Sequence, residues 1–136
     1  MAISMTSAMR TSRLQVVLNA IDAGATAATM NFYTGPRPAS GAAITTEVLI
    51  GTVTFSDPCG TITNNVLTFS TISDDISADA NGDIVWARIN DGDGTWVMDL
   101  DCGETGSGAE IIFNTVTARV GGVIQVLSGS LTEGNA

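Results

Sequence analysis

Asp83-Ile84-Val85-Trp86-Ala87-Arg88-Ile89 and Thr95-Trp96-Val97-Met98-Asp99-Leu100, joined through Asn90-Asp91-Gly92-Asp93-Gly94, decide the fold class of this chain. Both arms carry β-branched and aromatic residues that suit a pleated surface. The Asp-Gly steps between them accept the positive φ that matches the twist of a tight β-turn. The stretch reads as an antiparallel hairpin. Trp86 and Trp96 lie close to the two ends of its turn, so both rings are expected to anchor one sheet.

The same texture extends in both directions. Before the hairpin, strands are predicted over Thr29–Thr34, Glu47–Ser56 and Asn65–Ile72; after it, over Glu110–Thr117 and Val123–Leu131. The breaks between them are Gly, Pro, Asn and Asp clusters, with Pro36 and Pro38 removing backbone donors and forcing an extended loop. About seven short strands separated by turns predict a mainly β fold, an immunoglobulin-like or jelly-roll-type β-sandwich.

One segment departs from that texture. Met9, Leu14, Val17, Leu18 and Ile21 follow the three-four spacing of an amphipathic helix, predicted over about Thr6–Ala23, with Ser4 or Thr6 as N-cap and Gly24 as left-handed stop. Its apolar stripe must pack on the sandwich or cross to a neighbour. A length of 136 residues suits a single domain over 1–136. There is no internal repeat of solenoid period and no heptad run.

Composition narrows the chemistry. Fourteen acids stand against five arginines, with no lysine and no histidine, for a net charge of −9. Five dispersed arginines cannot form a phosphate-binding stripe, so no nucleic-acid partner is expected. Missing histidine and lysine take away the commonest general base, Schiff-base chemistry and the phosphate-loop cation. Without a base, the many serines and threonines cannot be activated as nucleophiles, and threonine is explained by strand propensity. The chain is expected not to be an enzyme. No run approaches the length of a membrane span, and Arg10 and Arg13 interrupt any apolar region that could serve as a signal peptide; synthesis and folding in the cytosol are the expectation. Cys59 and Cys102 sit in Asp57-Pro58-Cys59-Gly60 and Asp101-Cys102-Gly103, turn-like contexts expected at strand ends. Free thiols are favoured there, although pairing is a matter of geometry.

Two acidic segments resemble fragments of a calcium loop: Asp79 and Asn81 before Gly82, and Asp91 and Asp93 around Gly92 and Gly94. An EF-hand places a bidentate Glu at its twelfth position. Register on Gly82 puts Arg88 there and register on Gly94 puts Leu100 there, so neither cage is complete. Turn formation explains these residues, and no metal or other cofactor is expected. A glycosidase pair needs one acid with a raised pKa inside a cleft, whereas paired carboxylates such as Asp91 with Asp93 or Asp99 with Asp101 fall in an expected exposed turn or at a strand end. Tyr33, Trp86 and Trp96 could form a sugar-stacking platform, against which stands the core's own need for aromatic residues. Arg10, Arg13 and Arg37 are candidates for pairing with acids of the chain's own surface or of a neighbouring subunit.

The order of elements carries a resemblance. The amphipathic helix, the strand ending Phe32-Tyr33-Thr34-Gly35 before Pro36 and Pro38-Ala39, and Leu49-Ile50-Gly51-Thr52-Val53-Thr54-Phe55 come first. Ile76-Ser77-Ala78-Asp79-Ala80-Asn81-Gly82, Val85-Trp86-Ala87-Arg88-Ile89 and Leu127-Ser128-Gly129-Ser130-Leu131-Thr132-Glu133-Gly134-Asn135-Ala136 follow. Over nearly its whole length the chain resembles a family of small tailed-bacteriophage virion structural proteins. The resemblance implies a β-sandwich that acts as a capsid decoration or cement protein on the capsid surface of the virion, assembled in the host cytoplasm. Its implied partners are the major capsid protein and further copies of itself, as a trimer, with no membrane involved. The alternatives are a tail, neck or fibre component and, from another class, a glycan-binding module. The family supplies no catalytic residues.

Overall fold

The computed structural model describes residues 4–133; Met1–Ile3 and the closing Gly134–Ala136 lie outside the described residues. One helix, α1 (Ser7–Ile21), precedes ten strands: β1 (Thr29–Tyr33), β2 (Leu49–Thr54), β3 (Gly60–Thr63), β4 (Val66–Phe69), β5 (Gly82–Asp83), β6 (Trp86–Asn90), β7 (Trp96–Glu104), β8 (Ile111–Phe113), β9 (Thr117–Ala118) and β10 (Val126–Thr132). The fold is mainly β and sandwich-like, with one N-terminal helix. Each of the seven predicted strands is present. The count rises to ten through β3, β5 and β9, runs of four and two residues too short to show a periodicity.

Eight strands form one sheet in the order β2-β1-β6-β7-β8-β10-β4-β3, and β5 pairs with β9 apart from it. The outermost strands, β2 and β3, are consecutive in the chain and separated only by residues 55–59. Laid flat, eight strands at a spacing of about 4.8 Å would put these edges about 34 Å apart. The link reaches about 21 Å at full extension. The sheet must therefore curl back on itself, and the Phe55 and Phe69 rings, with centroids 5.0 Å apart, pack where its two ends approach.

Inside the curl lie Met30, Phe32, Ile50, Leu67, Ile89, Ile111 and Phe113, all essentially inaccessible. Phe32 and Phe113 meet edge to face at 5.0 Å, the arrangement that aromatic quadrupoles favour. The helix packs against β3, β4 and β7, which belong to opposite halves of the sheet order, so it spans the open side of the curl. Leu14 and Ile21 are its buried contribution, whereas Met9, expected in the same stripe, points to solvent. Thr6 is the N-cap, its Oγ1 accepting from the Met9 N–H at 3.1 Å.

Three local devices fix the geometry. Asn64 and Asn65, both at positive φ, form the two-residue turn between β3 and β4, as a type I′ hairpin requires. Asn65 also gathers the start of the helix and Glu133, the two ends of the described chain. Its Oδ1 accepts from Ser7 and Thr11 of the helix, its carbonyl accepts from the Glu133 N–H, and Glu133 pairs with Arg13 at 2.9 Å. At the far side, segment 75–79 lies along the outer edge of β2. There Asp75 Oδ2 accepts from the Thr52 N–H and the Asp79 N–H donates to the Ile50 carbonyl. A covered edge cannot template the addition of a further strand.

The predicted hairpin exists, but it is built differently from the symmetric turn that its sequence suggests. Its strands are β6 and β7, and the register shifts between Ile89 and Asn90, so that Ile89 opposes Met98 and Arg88 opposes Asp99. The tip docks on the segment after the helix, where the Gly92 N–H donates to the Ala23 carbonyl and Thr26 Oγ1 donates to the Gly92 carbonyl. Gly24 and Gly92 meet backbone to backbone, and a Cβ on Gly92 would overlap the Thr26 carbonyl. Trp96 is not a core anchor as expected but stands 44% exposed, while Trp86 is fully buried. Cys102 lies within β7 rather than at its end, and both cysteines are free thiols.

Candidate functional site

The outer face of β1, β6 and β7 would be open to solvent in a bare sheet, but loop 34–48 folds across it. Beneath the loop, two cross-strand rows carry unusual chemistry for a sheet surface. One is Thr52, Asn31, Arg88 and Asp99; the other is Tyr33, Trp86 and Asp101. In the second row the Tyr33 and Trp86 rings stack at 4.8 Å, and Trp86 Nε1 donates to the Thr34 carbonyl at 2.9 Å. A buried indole N–H needs such a partner, and the loop supplies it.

Arg88 is the hub. Nε donates to Asp99 Oδ1 at 2.8 Å, and Nη2 donates both to Asp99 Oδ2 at 3.0 Å and to the Ala42 carbonyl at 2.9 Å, tying the loop to the sheet. Its guanidinium also lies 5.2 Å from the Trp86 ring centroid, within cation–π range. Asp99 accepts a third bond, from Trp96 Nε1 at 3.0 Å. Burial pushes the Asp99 carboxyl up, but the hydrogen bonds from Arg88 and Trp96 and the charges of Arg88 and Arg37 outweigh it and hold the group below its ordinary value. The Asp99 bond raises Arg88 in turn. Both groups stay ionised at neutral pH, so the pair acts as a clamp and not as a proton donor or acceptor.

Trp96 closes the assembly. Gly41 packs against the benzo edge of its indole, so closely that a Cβ would come 2.7 Å from the ring. Beside it opens a surface depression of about 520 Å³, lined by Arg37, Ser40, Trp96, Met98 and Asp99 among others. Arg37 at its rim pairs with Asp101 at 3.1 Å, and both side chains are well exposed.

The residues singled out in the sequence go elsewhere. Asp91 Oδ1 accepts from the N–H groups of Asp93 and Thr95, both at 2.9 Å, which is turn formation. Asn81 Oδ1 accepts from the Val120 N–H at 2.8 Å, and the Asp79 N–H bonds to Ile50. Among the described residues, no three cysteine, aspartate or glutamate side chains converge in a group able to hold a metal ion. Arg13 and Arg37 pair with acids of the same chain, Glu133 and Asp101. The Arg10 Nε is buried with no hydrogen-bond partner among the described residues. The three-ring platform is not assembled, because Tyr33 and Trp86 are spent on each other under the loop. Asp99, expected at the end of a strand, is mid-strand and half-buried. Arg88 and Asp99 were not foreseeable as a pair without the register shift.

The chain finds no match among family models, curated proteins or solved structures. Its functional reading therefore rests on its own residues.

Proposed function

We propose that this chain is a non-enzymatic structural protein of a bacteriophage virion, a capsid decoration or cement protein that binds the assembled shell and bridges capsomers. The observation that carries the reading is where the acidic side chains are used. Asp22, Asp75, Asp91, Glu104 and Glu110 accept from backbone N–H groups of Cys59, Thr52, Asp93, Val116 and Asp101 respectively, and Asp99 is locked to Arg88. These carboxylates brace turns and edges, as suits a building block. A packing surface is also at hand: Ile76, Val120 and Val123 stand exposed where segment 75–78 bridges to 121–124.

Binding that occurs only on the intact shell stabilises it by mass action, and a trimer would present the same patch at repeated, symmetry-related places. The partners on this reading are the major capsid protein and further copies of the chain. A tail, neck or fibre position is the alternative. Counting copies per purified particle by quantitative mass spectrometry tests the reading: hundreds are expected, tens would move the protein to the tail, and none would remove it from the virion.

A further inference from the structure

The depression beside Trp96 is the one place on the described surface where a fixed aromatic ring, a cationic fork and a carboxylate converge, and the proposal above does not use it. We infer that it is a binding site for neutral carbohydrate, seating one pyranose ring of an oligosaccharide on the indole of Trp96.

Three observations carry this. The indole is half exposed yet immobilised, its Nε1 bonded to Asp99, which the Arg88 fork holds in turn, while Gly41 backs its benzo edge. A ring fixed before binding gives up little entropy when a sugar's C–H face settles on it. Arg37, which lines the depression, then stands 3.1 Å from Asp101, a donor fork next to an acceptor, which matches the alternating donor and acceptor character of vicinal hydroxyls. Finally, Ser40 on the same rim holds a positive φ of 29°, a conformation that non-glycine residues rarely adopt and that clusters at binding sites.

Charge selects the class. Asp99 lines the depression, Asp101 pairs with its Arg37, and the chain carries net −9, so polyanions such as nucleic acids or polyuronates are repelled. Neutral hydroxyl-rich ligands are not. The depression's volume also falls within the range of small-ligand sites, and its open side leaves room for the rest of an oligosaccharide. The inference stands independently of the virion reading, since the surface patch at Ile76 and Val123 is a different face built from different segments.

The test uses the two indole N–H signals of the full chain in nitrogen-edited NMR. Neutral gluco-, galacto-, manno- and rhamno-oligosaccharides are titrated to about 10 mM, where a site of millimolar affinity is mostly filled. At least one is expected to shift the Trp96 signal while the Trp86 signal stays in place. Trp96→Ala should abolish binding read on the backbone signals of residues 37–41, and Arg37→Ala should weaken it by about tenfold, with thermal unfolding confirming that each variant is folded. Silence with every neutral sugar overturns the inference. So does a response to uronate-containing oligosaccharides alone, or loss of particle binding in Trp96→Ala with no response to any sugar, which would make the depression a protein contact.

Discussion

Arg88 and Asp99 face each other across β6 and β7 as a two-point fork, 2.8 Å and 3.0 Å between their paired atoms, with side chains only 11% and 8% exposed. Such a pair costs a good deal to desolvate, so its value shows mainly when one partner is missing. Asp99→Ala would leave the guanidinium and the Trp96 N–H without their acceptor. A loss of about 3 kcal/mol is expected in denaturant unfolding. The double variant Arg88→Met, Asp99→Leu should recover part of that loss, because no uncompensated charge then stays under the loop. A double variant less stable than Asp99→Ala would refute the clamp.

The same carboxylate gives a pH signature. Its folded-state pKa is lower than its unfolded one, so the unfolded chain takes up the proton first as pH falls. The stabilisation is complete above the ordinary aspartate value of about 3.9 and is lost as pH drops through the depressed folded value. The stability gap between the natural chain and Asp99→Asn should stay constant from about pH 7 to pH 5 and close below about pH 4. Unfolding curves collected across that range check it, and a gap that closes between pH 7 and pH 5 would contradict the assignment.

Gly92 and Gly94 belong to one turn but are needed for different reasons. Gly94 holds a φ of 86° with open space around it, whereas Gly92 is pressed against the Thr26 carbonyl. Gly94→Ala should cost about 1 kcal/mol, the penalty of a Cβ in left-handed backbone. Gly92→Ala should cost about 2–3 kcal/mol, because rigid backbone must move. Chemical denaturation of the two variants separates the effects, and equal losses would mean that the tip does not dock on residues 23–26.

Neither thiol should react in the native protein near neutrality. Burial first, and then the charge and hydrogen bond of Asp22, push Cys59 up to about 12, and burial with the charges of Asp101 and Glu110 raises Cys102 as well. The thiolate is the reactive form. An aromatic disulfide reagent at about pH 8, half a unit below the free-thiol pKa of about 8.5, should label both cysteines only at the rate of unfolding. Prompt labelling of Cys59 without denaturant would be incompatible with its buried position.

The fold class was legible because the signals that carry it are local. Strand texture, breaker clusters and the three-four spacing of Leu14, Leu18 and Ile21 are read within a few residues of each position. What escaped was register. A hairpin closed symmetrically on Asn90–Gly94 sets Ile89 against Thr95, but the docking of Gly92 on residues 23–26 and the irregularity after Ile89 set it against Met98. That odd shift exchanges which side chains share a face. It brought Asp99 opposite Arg88, while Trp96, opposite Asn90 beyond the irregularity, keeps the Arg88 face and stands exposed at its end. Loop 34–48 was legible as a loop from Pro36 and Pro38, but nothing local says that it covers Trp86. Asp91 braces its own turn, whereas Asn81, Arg13 and Arg37 meet partners far along the chain, Val120, Glu133 and Asp101, which no local pattern names.

Asn65 ties the first turns of the helix to Glu133, so the described chain begins and ends at one corner of the molecule. In topological terms the path is almost a closed ring. The order in which the strands are threaded could be rotated by a linker joining Glu133 to the start of the helix at Ser7, with the chain opened at an exposed turn such as 106–108, while every strand keeps its neighbours.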